Sequence, residues 1–197
     1  FEYVHQLQGR KRRSVDSAAM VQAGVAWLDG RAAPERPFFL VVHTLDPHDP
    51  YRPQEPYRSR FAPGVDVASA CCFRGGELAA LSAEQAAARR RDSLALYDGE
   101  IAQNDASFGR LLDDLRARGL LDRSAVVFTA DHGEEFHEHG GWRHAESLFE
   151  EVLRVPLVVR LPKGTAARAT VADPADQIDL APTLLELAGV AAPPEFP

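Results

Sequence analysis

Residues 126–144, VVFTADHGEEFHEHGGWRH, hold four of the seven histidines in this chain beside four carboxylates, side chains that suit metal binding and acid–base catalysis. An apolar run ends in Asp131, His132 and Gly133, and four further acids and three further histidines follow before Ser147. A carboxylate oxygen beside an imidazole nitrogen forms half of a divalent-metal site. Asp131 and His132 are therefore the candidate metal ligands, with Gly133 expected to let the backbone turn so that both face one ion. The same residues would equally serve a strand-end turn with solvated histidines. A second chemical group lies upstream, where His48 follows Asp46 and Pro47 at the end of another apolar run.

The elements that must position these residues alternate between strand and helix. Val126–Phe128 reads as a short buried strand, and ligands in α/β sheets collect just beyond the carboxyl ends of strands. Phe38–Val42 is a near-continuous apolar run of the kind found in a sheet covered on both faces. Asp16 is placed to cap a helix carrying Met20, Val21, Val25, Trp27 and Leu28. Pro47, Pro50, Pro53 and Pro56 stiffen the loop that carries His48.

An Ala-rich helix is predicted to begin after Ser82 and run to about Arg91, and a second, long helix from about Ser93. The stripe Leu94, Tyr97, Ile101, Phe108, Leu111, Leu112 and Leu115 marks the second, and Gly119 marks its stop. Asn104 and Asp105 interrupt that stripe and are expected to hydrogen-bond a neighbouring loop. A strand over Val155–Leu161 and a helix over Ile178–Ala188 complete the pattern. The fold class predicted is α/β, a mostly parallel sheet flanked by helices.

Three ordered segments carry a family resemblance. Thr129, Asp131, His132, Gly133, Glu134, Glu138, His139, Gly140, His144, Leu148, Phe149, Glu150, Glu151, Arg154, Val155 and Pro156 resemble the C-terminal metal motif of the sulfatase family, in the alkaline phosphatase superfamily. Asp46, Pro47, His48, Pro50 and Tyr51 resemble its Asp-Pro-His-x-Pro-Tyr loop. Tyr97 to Ile101 with Gly109 to Leu112 resemble the helix before the metal strand, and Asp179 to Leu185 its closing helix. The likeness is weakest over residues 61–92.

The resemblance implies an alkaline phosphatase-like fold with Asp131 and His132 on a divalent ion: calcium first, manganese or zinc as alternatives. It implies that His48 and His144 contact the transferred group or leaving-group oxygen. Glu134 would orient His132, since metal-bound imidazoles donate their other nitrogen to a carboxylate or carbonyl. The family's Cys/Ser-x-Pro/Ala-x-Arg nucleophile motif is not found, and Cys71-Cys72-Phe73-Arg74 does not supply it. Residues 1–197 are thus expected to be a partial catalytic domain, with the formylglycine nucleophile in an N-terminal half that is absent.

The expected function is metal-dependent hydrolysis of a small-molecule or glycan sulfate ester by the intact protein. The alternatives are a phosphodiester or phosphonate hydrolase, a phosphoethanolamine-type transferase, and a non-catalytic metal-binding remnant. Composition adds exclusions. Asp and Glu outnumber Lys and Arg by 29 to 22, a formal charge of −7, which argues against a nucleic-acid surface. The basic run Arg10–Arg13 reads as a solvated helix entrance. No apolar run approaches the roughly 20 residues of a membrane-spanning helix. The resemblance favours the periplasm or the cell exterior, while the residues leave the compartment open.

Overall fold

The computed structural model describes residues 16–70, 80–144, 147–165 and 169–193. Arg10–Arg13, Cys71, Cys72, Phe73 and Arg74, singled out from the sequence, lie outside the described residues. Helix α1 (Ser17–Asp29) starts where expected, with the Asp16 carboxylate accepting the Ala19 amide at 2.8 Å. Two short helices, α2 (Tyr57–Phe61) and α3 (Val67–Ala70), precede α4 (Ala83–Ala117). Strand β1 (Val126–Thr129) is followed by β2 (Glu135–Phe136), β3 (Trp142–Arg143), α5 (Glu150–Leu153), β4 (Leu157–Arg160) and α6 (Leu180–Leu187).

The two helices predicted after Ser82 are one helix of 35 residues, about 50 Å long. It opens on a capping box in which the Ser82 hydroxyl accepts the Gln85 amide and Gln85 accepts the Ser82 amide. No proline or glycine falls between Ala83 and Asp98 to divide it. It ends at Gly119, whose φ of +65° lets the Leu120 amide reach back to the Leu115 carbonyl at 2.9 Å.

The buried stripe of α4 differs from the one predicted. Leu96, Glu100, Gln103, Ser107, Leu111 and Leu115 are buried at helical spacing, whereas Ile101 is 44% exposed. The stripe is apolar at its ends and polar in the middle. Leu96 joins a core with Tyr51, Ala62, Ala70 and Phe136, and Tyr97 packs against it. Leu111 and Leu115 join a second core with Val21, Leu28, Leu120 and Leu121, flanked by Phe38, Leu40 and Val42.

The sheet also departs from expectation. Among the described residues the ladders are two antiparallel ribbons: β1 with β4 (Val126 opposite Arg160, Thr129 opposite Leu157) and β2 with β3. The chain between β1 and β4 holds a tight ribbon and the one-turn α5 instead of a sheet-covering helix, so β4 runs back against β1. Residues 38–42 have no ladder partner among the described residues. They still alternate like a strand, with Phe38, Leu40 and Val42 on the core and Phe39 and Val41 exposed. The strand predicted as buried at Val126–Phe128 is only half-buried, and Leu157, Val158 and Val159 of β4 are exposed.

The buried stripe has a direct test. Leu96→Ala should cost about 2–5 kcal/mol in urea unfolding, the range for an aliphatic core truncation. Ile101→Ala should stay within about 0.5 kcal/mol of the parent. Equal losses would restore the stripe predicted from the sequence.

Candidate active site

The polar middle of α4 grips the loop that carries His48. The Glu100 carboxylate accepts the backbone amides of His48 at 3.1 Å and Arg52 at 2.5 Å. Gln103 accepts the Gln54 amide at 2.8 Å and donates to the Asp46 carboxylate at 3.1 Å. Asn104 donates to Thr44 Oγ1 and to the Asp46 carbonyl, the loop contact expected of it. Asp46 also accepts the Ser17 amide at 3.0 Å, tying the start of α1 to the same loop. Gly99 permits this closeness, because a Cβ there would sit 2.9 Å from Pro53.

The second segment emerges from β1. Asp131 is an exposed carboxylate whose Oδ2 lies 3.8 Å from His132 Nε2. His132 Nδ1 lies 2.8 Å from the Gly133 carbonyl, which can only accept, so Nδ1 is the donor there and Nε2 is left free. The Gln177 side chain donates to the carbonyls of Ala130 and Asp131 and fastens this exit to the C-terminal region.

Gly133 plays a part different from the one expected. A Cβ at this position would lie 2.0 Å from the Glu151 carbonyl oxygen, and its φ is not positive. Its amide donates to the Val152 carbonyl at 2.7 Å, and that of Glu134 to Glu151 at 2.9 Å. The glycine is required by close approach to α5, not by a sharp turn.

Three histidines from separate segments converge here. The rings of His132 and His144 lie with centroids 3.9 Å apart, tilted by 32°, and His48 meets His144 edge-on at 5.6 Å. His48 Nδ1 lies 2.6 Å from the Asp49 carbonyl, so it too keeps Nε2 free. Glu134 does not orient His132 as expected. Its Oε1 lies 2.9 Å from His144 Nδ1, and its Oε2 accepts the Tyr51 hydroxyl at 2.5 Å. The sequence assigned no role to the side chains of Tyr51, Glu100, Gln103 or Ser107. For Glu100 and Gln103 the available signal was an acid and an amide at core spacing inside a helix.

Asp131 and His132 fit as two ligands of a divalent ion on donor chemistry: an exposed carboxylate beside an imidazole whose other nitrogen is anchored on a carbonyl. Glu135, His139 and Glu151 also place ligand atoms within 4.8 Å of one another. That group works as a loop clasp. Glu135 already accepts from the His139 and Gly141 amides and the Ser147 hydroxyl, and His139 Nδ1 contacts Glu151 at 2.6 Å. An ion would have to displace those donors.

The sulfatase family model matches residues 3–190. The chain belongs to the sulfatase family. It is 37% identical over 100 residues to an N-acetylglucosamine-6-O-sulfatase of Bacteroides thetaiotaomicron, a match covering 51% of this chain and 18% of that relative. A protein solved in complex with its substrate D-glucosamine-2-N,6-O-disulfate superposes with a TM-score of 0.74 at 20% identity, covering 94% of this chain and 51% of the other. A phosphonate monoester hydrolase from Silicibacter pomeroyi superposes with a TM-score of 0.67 at 22% identity, covering 89% and 39%. The fold is therefore alkaline phosphatase-like, and the chain spans at most about half the length of these relatives.

Burial pushes the Glu100 carboxyl up to about 7, aided by nearby Asp46 and Asp49 and opposed by the two amides it accepts. Its unfolded value is near 4.5. The folded state then binds more protons across that interval, so the group's contribution to stability is full below about 4.5 and is lost as pH rises through about 7. Glu100→Gln should flatten this part of a plot of urea midpoint against pH. An unchanged slope would remove Glu100 as its source. Gly133→Ala should destabilise the chain by at least about 1 kcal/mol, since backbone of α5 must shift to admit the methyl group.

Proposed function

We propose that this chain supplies part of the active site of a metal-dependent sulfate-ester hydrolase, acting on a sulfated sugar or another small sulfate ester. The observation that carries the reading is the meeting of His48, His132 and His144, from three segments, beside the Asp131 carboxylate at a strand exit. The names of relatives that act on N-acetylglucosamine-6-O-sulfate and D-glucosamine-2-N,6-O-disulfate support a sugar sulfate.

Asp131 and His132 would hold the ion, which when bound polarises a sulfate oxygen and offsets its charge. Calcium is the first choice, and the imidazole of His132 keeps manganese and zinc open. His48 and His144, each held through Nδ1, present Nε2 toward the tetrahedral anion and the departing oxygen. One of them in its protonated form would donate to that oxygen as the ester bond breaks. The nucleophile, a formylglycine in the sulfatase pattern, would come from a segment outside residues 1–197. The exposed flank of Asp131 is where further metal carboxylates would join it.

A phosphonate or phosphodiester hydrolase is the second reading. It is favoured by the imidazole of His132, which suits the borderline metals, and by the likeness to the phosphonate monoester hydrolase fold.

The 197-residue chain alone should show negligible turnover of nitrophenyl sulfate and bis-nitrophenyl phosphate. Joined to the upstream half of its domain, it should hydrolyse the sulfate in preference to the phosphodiester. Asp131→Ala should then lower kcat/KM by about 10²-fold or more and release the metal, read by elemental analysis. His144→Ala should cost about 10²–10⁴-fold. Robust turnover by the chain alone, or a joined enzyme indifferent to Asp131→Ala, would defeat the reading.

A further inference from the structure

Tyr51 and Glu134 lie 83 residues apart in sequence and meet in a buried hydrogen bond directly behind the histidine cluster. Tyr51 is 3% exposed and Glu134 8% exposed. The Tyr51 ring is wedged between Tyr97 and Phe136, with centroids at 5.5 and 5.8 Å. Burial, then the contact with Glu134, holds the Tyr51 phenol well above its ordinary pKa, so it remains a donor. Glu134 is fixed through its own amide to the Glu151 carbonyl. One of its oxygens is occupied by Tyr51, and the other is 2.9 Å from His144 Nδ1.

We propose that Glu134, braced by Tyr51, is a positioning residue that holds His144 through its Nδ1 proton and leaves Nε2 for the anion site. A carboxylate can only accept, so the imidazole must donate from the nitrogen that faces it. The carboxylate thereby selects tautomer and ring orientation together, as a buried acid does for the histidine of a hydrolytic triad. The ring so held lies against those of His132 and His48, with centroids at 3.9 and 5.6 Å. The inference rests on the proposed role of His144, but the tautomer itself is measurable without turnover.

Long-range ¹H–¹⁵N correlation spectra of the full ¹⁵N-labelled chain at about pH 8, above the ordinary imidazole range, provide that measurement. His144 should show a protonated Nδ1 and a bare Nε2. Glu134→Leu should move it to the Nε2–H form that free histidine prefers. Glu134→Gln, which keeps an acceptor oxygen, should retain most of the Nδ1–H form. Tyr51→Phe should retain the tautomer and broaden its signals, providing a readout even where Glu134→Leu fails to fold.

In the enzyme joined to its upstream half, Glu134→Leu should lower kcat by about 10–100-fold with KM changed far less, and Glu134→Gln should lose much less. An Nε2–H tautomer in the parent chain, or a tautomer indifferent to Glu134→Leu in a folded variant, would overturn the proposal. A parent enzyme without turnover but with the tautomer as described would overturn the hydrolase reading instead.

Discussion

The site depends on a polar band set into the middle of a buried helix face. Between its two apolar anchors, α4 presents Glu100, Gln103 and Ser107, none of them more than 7% exposed. These groups are stable inside only because they are saturated. Glu100 takes two loop amides, Gln103 takes one and gives to Asp46, and the Ser107 hydroxyl lies 3.0 Å from that of Ser17. Removing one partner leaves the other buried and unpaired, at about 1–3 kcal/mol. The proline-rich loop therefore has one seating on the helix, and His48 goes where that seating puts it.

The same logic joins the two halves of the site. Asp46–Tyr51 arrives from the helix side, and Asp131–Glu134 arrives from β1. Close backbone approach at Gly133 presses the second segment onto α5, and the Tyr51 hydroxyl bridges to Glu134. The histidines converge because each ring is tethered at Nδ1, two to carbonyls and one to a carboxylate. Tethers of this kind orient imidazoles without using the nitrogen that does the chemistry.

Much of this was legible from residue order. The α1 cap at Asp16, the start of α4 after Ser82 and the stop at Gly119 follow from local rules that tertiary contacts do not override, and Asn104 stood out as a polar break in an apolar stripe. His48, His132 and His144 were legible as a set, through motif likeness. What was not legible depended on partners distant in sequence. Hydrophobicity selected Ile101 for the core and passed over Glu100, because a buried acid is stable only when the amides that neutralise it are known. Glu134 was assigned to the nearer histidine, His132, since nothing in the order of residues shows that β3 folds His144 back to it. The parallel sheet was inferred from alternation alone, and alternation does not fix strand direction.

The β1–β4 ribbon has a consequence for handling the molecule. Leu157, Val158 and Val159 face water, Phe39 and Val41 do likewise, and the amides of residues 38–42 lack a ladder among the described residues. A short, flat, greasy edge of this kind recruits any extended peptide that offers matching amides. Produced as a separate piece, the chain should accumulate in inclusion bodies or bind chaperones. Charged substitutions at Val158 and Val41 would then do more for soluble yield than any change near the histidines.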